Sequence, residues 1–363
     1  FEMTSRVALV TLRAPRSAIA RAHVVHTTLH GGGLVSLTRA AAPTASRRAA
    51  CSAAHFYDAV VVPMPGILLT NGMFRYGPCL GEALGARSVD LELGDDAIRS
   101  CASIPEAAEE IVRGLAQKHG PRARAVLVGH SYGGYVALEV ARCWPERVAG
   151  LVLASTQCRA DTAGASARRR SQLAVLRAQG VGAVFEALLP FLLRGAEGAR
   201  LAMKDFIGGM AHEVGAAALE RQIQACISRP DQRETLKQLP LDIPVLALTG
   251  KEDKVTPPQC LKEMRELLLF REQRAKSVRR ESPSGDPIGI EAPAPWSARL
   301  CEDVGHLMPS EKPDLFHRML SEWASEVRQS QQAHEVADAP ELGESARLQK
   351  TRLAHWRAGF CGA

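Results

Sequence analysis

Ser131 is the residue on which chemistry could turn. It stands in Gly129-His130-Ser131-Tyr132-Gly133, after the buried-strand pattern Ala125–Val128 and directly before an amphipathic helical pattern. A serine at a sharp strand-to-helix turn has its hydroxyl pushed clear of the sheet, where an imidazole can reach it, and a G-x-S-x-G elbow requires that order. Side chains at 129 and 133 would collide within so tight a turn, so glycine stands at both. Ser131 also lies at a helix N-terminus, which aims the Tyr132 N–H at a developing oxyanion. The bare pentapeptide can arise by chance in a chain rich in Gly, Ala and Ser; the strand before it and the helix after it set this one apart.

A serine nucleophile needs a base to take its proton and an acid to orient that base. With an elbow of this kind the chain order is Ser, then Asp or Glu, then His. The acid is Asp253, in LTGKEDKVTPP, which follows the strand pattern Pro244–Leu248 and precedes the helix-breaking Pro257. Functional residues sit on loops leaving the carboxyl ends of such strands. Glu252 is the neighbouring rival, Asp242 lies at the wrong end of the strand, and a bland role for Asp253 is to cap the next helix. The base is His306, in CEDVGHLMPSEKP, after a short strand pattern at Ala298–Cys301 and before the closing helix. His212 and His317 fall inside helical patterns and read as structural. His130 precedes Ser131, and successive strand residues face opposite ways, so its side chain is expected to point away from the serine. The second oxyanion donor belongs to the loop Pro65-Gly66-Ile67-Leu68, with Ile67 N–H first and Leu68 N–H second; Gly66 allows close backbone approach.

These residues need a sheet to carry them, and the chain supplies one. Ala59–Val62 and Ser88–Leu93 read as strands, Ile104–Lys118 as a helix capped by Ser103 with Glu106 at capping-box spacing, and Val148–Ala154 as another strand. Alternating strands and helices imply a largely parallel sheet covered on both faces. The alternation breaks at 156–240, where only helical patterns occur. Such a block is either a lid over the site, the reading favoured here, or helices packed on the sheet edge. Its apolar residues Leu188, Leu189, Phe191 and Leu192 would contact substrate together with Gly66 and Leu68, or form the block's own core. The resulting organisation is an extension at 1–56, a first core part at 57–155, the helical block at 156–240, a second core part at 241–328 and a polar tail at 329–363. Residues 271–297, charged and then rich in Pro, Gly and Ser, read as a surface insertion with little regular structure.

Composition narrows the class. The 363 residues are 46% hydrophobic and 23% charged, with a formal net charge of +6. No basic stripe with interleaved aromatics is present, which speaks against nucleic-acid binding. No apolar run reaches the roughly 18 residues of a membrane span, so no integral membrane segment is expected. The nine cysteines are scattered and never paired as C-x-x-C. That pattern disfavours a zinc site or disulfide scaffold and suits free thiols in a reducing compartment. The first 56 residues are Arg- and Ser-rich with Glu2 the only acid, as in an organellar transit peptide or an unstructured extension. The expected location is cytoplasmic, or organellar if that segment is a targeting signal. Oligomeric state is not legible.

From Ala59 to about Val327 the chain resembles the α/β-hydrolase superfamily, in its cap-bearing esterase and carbon–carbon hydrolase branch. The segments VVVPMPGILL, VGHSYGGYVALEVARCWPERVAGLVLAST, LALTGKEDKVTPP and VGHLMPSEKP carry the resemblance, in the family's order. It implies an eight-stranded, mostly parallel sheet, a helical cap and cofactor-free acyl transfer to water, with no metal. Carried over, Ser131 is nucleophile, Asp253 orienting acid, His306 base, and Tyr132 and Ile67 oxyanion donors. Two departures stand out: Pro65-Gly66 replaces the His-Gly of many members, and the insertion at 271–297 precedes the strand that delivers His306. Relatives with an elbow aspartate, the dehalogenases and epoxide hydrolases, are excluded by Ser131. The expected activity is hydrolysis of a small-to-medium carboxylic ester, a small-molecule substrate. The alternatives are a carbon–carbon, lactone or thioester substrate on the same residues, or a ligand-binding protein that has lost turnover.

Overall fold

A computed structural model of the protein describes residues 56–74, 80–194, 197–280 and 294–337. The extension before residue 56, the centre of the 271–297 segment and the tail after residue 337 lie outside the described residues. The chain begins with strand β1 (Val60–Met64), helix α1 (Leu80–Leu84) and strand β2 (Ser88–Val89). Helices α2 (Leu91–Ser100) and α3 (Ile104–His119), strand β3 (Ala125–His130), helix α4 (Tyr132–Cys143) and strand β4 (Val148–Ala154) follow. Three helices then come in succession: α5 (Ala163–Leu192), α6 (Glu197–Ser228) and α7 (Arg233–Gln238). Strand β5 (Val245–Gly250), helix α8 (Pro258–Arg280), strand β6 (Trp296–Cys301), and helices α9 (Met308–Glu311) and α10 (Pro313–Ala337) complete the chain.

The strands form one parallel sheet in the order β2-β1-β3-β4-β5-β6. Among the described residues it has these six strands rather than the expected eight. β1, β3, β4 and β5 are buried along their whole length, as strands covered on both faces must be. Val60, Val62 and Met64 enter one apolar layer and Val61 the other, the period-two alternation of a strand between two helix layers. The chain leaves β1 towards β2 on one side, and β3 lies on the other. The carboxyl ends of β1 and β3 therefore frame a topological switch point, where α/β sheets open a crevice.

Several boundaries differ from the sequence reading. The strand expected at Ser88–Leu93 stops at Val89, because Asp90 caps α2 by accepting a hydrogen bond from Leu93 N–H. Ser103 caps α3 as expected, accepting from Glu106 N–H, and the Glu106 carboxylate accepts from Ala102 N–H. The segment expected to be irregular from 271 is helical to Arg280. Arg271 is buried, donating to the carbonyls of Leu239, Pro240 and Ile243 and so tying α8 to the entry of β5. The following strand begins at Trp296 and pairs with β5 through Cys301, so the preceding insertion leaves it intact.

Helices α5 and α6, which fall between β4 and β5 in the chain, pack against each other. α5 satisfies the length and composition of a membrane span, with a window of mean hydropathy 1.4. Gly180 breaks it with φ of 81°, into Ala163–Gln179 and Val181–Leu192, each shorter than the about 20 residues a span needs. The described cysteines, Cys101, Cys143, Cys158, Cys226, Cys260 and Cys301, are all free.

Candidate active site

β3 delivers Ser131 at its carboxyl end with φ of 50° and ψ of −111°, a backbone state that L-residues rarely adopt. Neighbouring contacts hold it there. Ser131 N–H donates to Ala154 O at 2.9 Å, Thr156 Oγ1 donates to Ser131 O at 2.7 Å, and Gly133 N–H donates to Pro65 O at 3.0 Å. The two glycines of the elbow are sterically required: a Cβ on Gly133 would lie 2.1 Å from Met64 O, and one on Gly129 would lie 2.6 Å from Gly133 O.

The loop after β5 carries Asp253, and the loop after β6 carries His306. Asp253 Oδ1 accepts from Val255 N–H and Thr256 N–H, and Oδ2 accepts from the Thr256 hydroxyl. His306 Nδ1 lies 2.9 Å from Asp253 Oδ2 and 3.0 Å from Oδ1, and its Nε2 lies 3.1 Å from Ser131 Oγ. The tautomer follows: Nδ1–H donates to the carboxylate, leaving Nε2 to accept from the serine hydroxyl. Burial opposes ionisation of Asp253, but the charge of His306 and the hydrogen bonds from His306 and Thr256 outweigh it and lower its pKa to about 2. Ser131, Asp253 and His306, placed on different strand ends by the sequence, thus form one connected hydrogen-bonded chain. Glu252, the rival acid, faces outward and pairs with Arg194.

His130 makes no hydrogen bond to Ser131 among the described residues, yet it braces the loop of the base. Its ring does not leave the site: Nε2 donates to His306 O at 2.8 Å, the two imidazoles are 5.0 Å apart, and Nδ1 has no partner. Burial first, and the His306 charge second, lower its pKa to about 3, so it is neutral. His130 is the last residue of β3, and its ring reaches the loop that carries His306, on the layer that Val126 and Val128 also enter. Glu311 braces the same loop from the other side, accepting from Gly305 N–H at 3.1 Å and Leu307 N–H at 3.0 Å. Burial raises its pKa, against the pull of those amides. Sequence reasoning missed both braces; the only sequence sign of Glu311 was its place just after the histidine.

The loop after β1 passes close to the serine, since a Cβ on Gly66 would come within 3.3 Å of Ser131 Cβ and 3.0 Å of His130 Nδ1. Leu69 N–H donates to Gly66 O, and Leu68 N–H donates at 3.2 Å to Gln222 Oε1 of α6. Leu68 N–H, the second choice for an oxyanion donor, is therefore engaged. Ile67 N–H has no partner among the described residues. Tyr132 N–H opens α4 and has no partner within that helix. Leu189 and Leu192 of α5 belong to the apolar cluster that contains Leu68, Leu69, Leu307 and Met308, and Leu188 packs on it part-buried. Phe191 is 52% exposed on the outer side. Among the described residues no group of three or more His, Cys, Asp and Glu side chains could hold a metal ion.

This arrangement is equipped to move a proton from a serine hydroxyl to an imidazole. Comparison with known proteins agrees with it at the level of fold. An esterase from Thermogutta terrifontis superimposes with a TM-score of 0.55 at 25% identity, covering 75% of this chain and 91% of that one. An enol-lactonase from Burkholderia xenovorans LB400 gives 0.54 at 16% identity, over 75% and 93% of the two chains. MenH from S. aureus gives 0.56 at 18% identity, over 75% and 95%. No curated protein matches in sequence. Residues 28–319 match the Alpha/beta hydrolase family, and the chain belongs to that family.

Proposed function

We propose that the protein is a serine hydrolase that cleaves a small-to-medium carboxylic ester through an acyl-enzyme on Ser131. The observation that carries this reading is the hydrogen-bonded chain from Ser131 Oγ through His306 to Asp253. His306 Nε2 takes the hydroxyl proton as Ser131 Oγ attacks the ester carbonyl carbon. Ile67 N–H and Tyr132 N–H hold the resulting oxyanion. The tetrahedral species collapses, the C–O bond to the alcohol breaks, and Nε2 returns the proton to the departing alkoxide. Water, deprotonated by the same nitrogen, then attacks the acyl carbon; the serine leaves with the proton and the free acid is released. Asp253, held ionised by its four hydrogen-bond donors, keeps the imidazole in the required tautomer and stabilises the imidazolium. Helices α5 and α6 act as a cap whose apolar residues Leu188, Leu189 and Leu192 meet the substrate's hydrocarbon.

Hydrolysis of p-nitrophenyl esters of increasing acyl length tests the proposal. The wild type is expected to turn over short and medium chains, and Ser131→Ala to lose at least about 10⁴-fold in kcat. Ester turnover that survives in Ser131→Ala would remove the serine from the reaction. A folded wild type inert to every ester but active on vinylogous diketones would move the activity to carbon–carbon cleavage.

A further inference from the structure

Gln222 is a fully buried cap residue with one arm of its amide in use and the other idle. Oε1 must be the atom that faces Leu68, since an N–H donates there, so the assignment of the two amide atoms is fixed by the partner. Nε2 is then a buried donor pair with no acceptor. A buried amide left unpaired carries a desolvation penalty that an apolar side chain of the same size would avoid. Leu68 has φ of 65°, an unfavourable state for leucine, and the Gln222 hydrogen bond fixes the peptide immediately after Ile67 in that state. The cap therefore reaches the loop one residue from the amide assigned to the oxyanion. The idle Nε2 belongs to the same amide that binds Leu68 N–H, so it is held beside the loop that carries Ile67.

We propose that Gln222 is the specificity-determining residue of the cap. Oε1 positions the oxyanion loop through Leu68 N–H, and Nε2 donates to an acceptor oxygen on the substrate close to the scissile carbonyl. The preferred ester carries an ether, hydroxyl or second carbonyl oxygen near the reacting centre rather than a plain alkyl chain. This inference rests on the ester reading of Ser131 and deepens it to a substrate class.

The test uses ester pairs of equal length in which one oxygen replaces one methylene. p-Nitrophenyl methoxyacetate against butyrate probes the acyl side, and 2-methoxyethyl butyrate against butyl butyrate probes the alcohol side. Each enzymatic kcat/KM ratio is divided by the ratio for hydroxide hydrolysis, which removes intrinsic reactivity. The wild type is expected to favour the oxygen-bearing ester in one pair by about tenfold or more. Gln222→Met, close in size and without polar hydrogens, should lower kcat on the all-carbon esters through loss of the loop contact and should erase the preference. Its thermal midpoint should stay within a few degrees, because the swap conserves volume. A wild type with no preference in either pair overturns the proposal without reference to any variant. A preference that survives intact in Gln222→Met overturns it too. If no ester is hydrolysed at all, the ester reading fails and the inference with it, whereas hydrolysis without preference rejects Gln222 alone.

Discussion

At the scale of single residues, His306, the proposed base, is held at its backbone as well as at its ring. The carbonyl of His306 is bound by His130, and the amides on either side of it are bound by Glu311. Holding a base to within tenths of an ångström in this way is what pre-organisation requires. His130 does so as a neutral group. Its folded pKa, about 3, lies below the ordinary value near 6.5, so between those limits the unfolded chain binds the extra proton. Its contribution to stability is thus complete above pH 6.5 and declines as pH falls towards 3. Against His130→Asn, which cannot titrate, the wild type should be the more stable at pH 7.5. Urea unfolding at pH 4.5 should show that advantage smaller by about 2–3 kcal/mol. An advantage of equal size at both pH values would mean that His130 titrates normally in the folded protein and that its burial is incomplete.

At the scale of elements, the site depends on close contact between helices and strands at points where only glycine fits. Gly133, in the first turn of α4, and Gly94 of α2 both lie against β1: a Cβ would stand 2.1 Å from Met64 O and 1.8 Å from Pro63 O respectively. Both atoms are backbone and cannot move aside. Gly94→Ala should therefore cost about 2–3 kcal/mol in denaturant unfolding and disturb the loop that carries Ile67, lowering kcat as well. Gly182 of α5 has open space around its Cβ and no positive φ, so Gly182→Ala should stabilise by about 0.5–1 kcal/mol. Equal effects at the two positions would refute the packing argument. The same contrast explains what could be read from the sequence. The elbow and the capped helix α3 are short-range patterns, and each was legible; Asp253 and His306 were legible through their places on loops that follow strands, although they lie far from Ser131 in the chain. So was the parallel sheet, because its strands are apolar on both faces. Asp90 ended β2 early through a side-chain cap that competes with a run of β-compatible residues. Arg271 in a charged stretch gave no sign that it would be buried against three carbonyls. Gln222 and His130 act through contacts to residues far away in the chain, Leu68 and His306, and no local periodicity records those.

At the scale of the molecule, the helical insertion reaches both sides of the site, through Gln222 to the loop after β1 and through α5 to the apolar residues that follow His306. Its attachment to the sheet therefore matters for chemistry as well as stability. Two kinds of link make that attachment. On the outside, Arg99 pairs with Glu213 and Arg194 with Glu252, all partly exposed. Such pairs are worth at most about 1 kcal/mol each and weaken in salt. At the neck, where the chain leaves β4 and later returns towards β5, the links are buried. Arg229 pairs with Asp161, donates to Arg159 O and Cys226 O, and stacks 4.3 Å from the Tyr135 ring; Arg169 also binds Asp161, and Gln232 N–H donates to Cys158 O. Both carboxylate and guanidinium of the central pair are almost inaccessible, so removal of Asp161 leaves Arg229 and Arg169 without their carboxylate. Asp161→Ala is expected to lower the unfolding free energy by about 3–5 kcal/mol, and Glu213→Ala by less than about 1 kcal/mol. The double change Asp161→Ala with Arg229→Met, which removes the more deeply buried of the two stranded guanidinium groups and leaves Arg169, should recover part of the loss. Molar salt should abolish the small Glu213 effect and leave the Asp161 effect standing, because ions screen the surface and do not enter the neck. If Asp161→Ala proved as mild as Glu213→Ala, the insertion would be held by its apolar contacts alone. Cap and sheet could then separate without breaking the neck, and the contact between Gln222 and Leu68 would be lost in that motion.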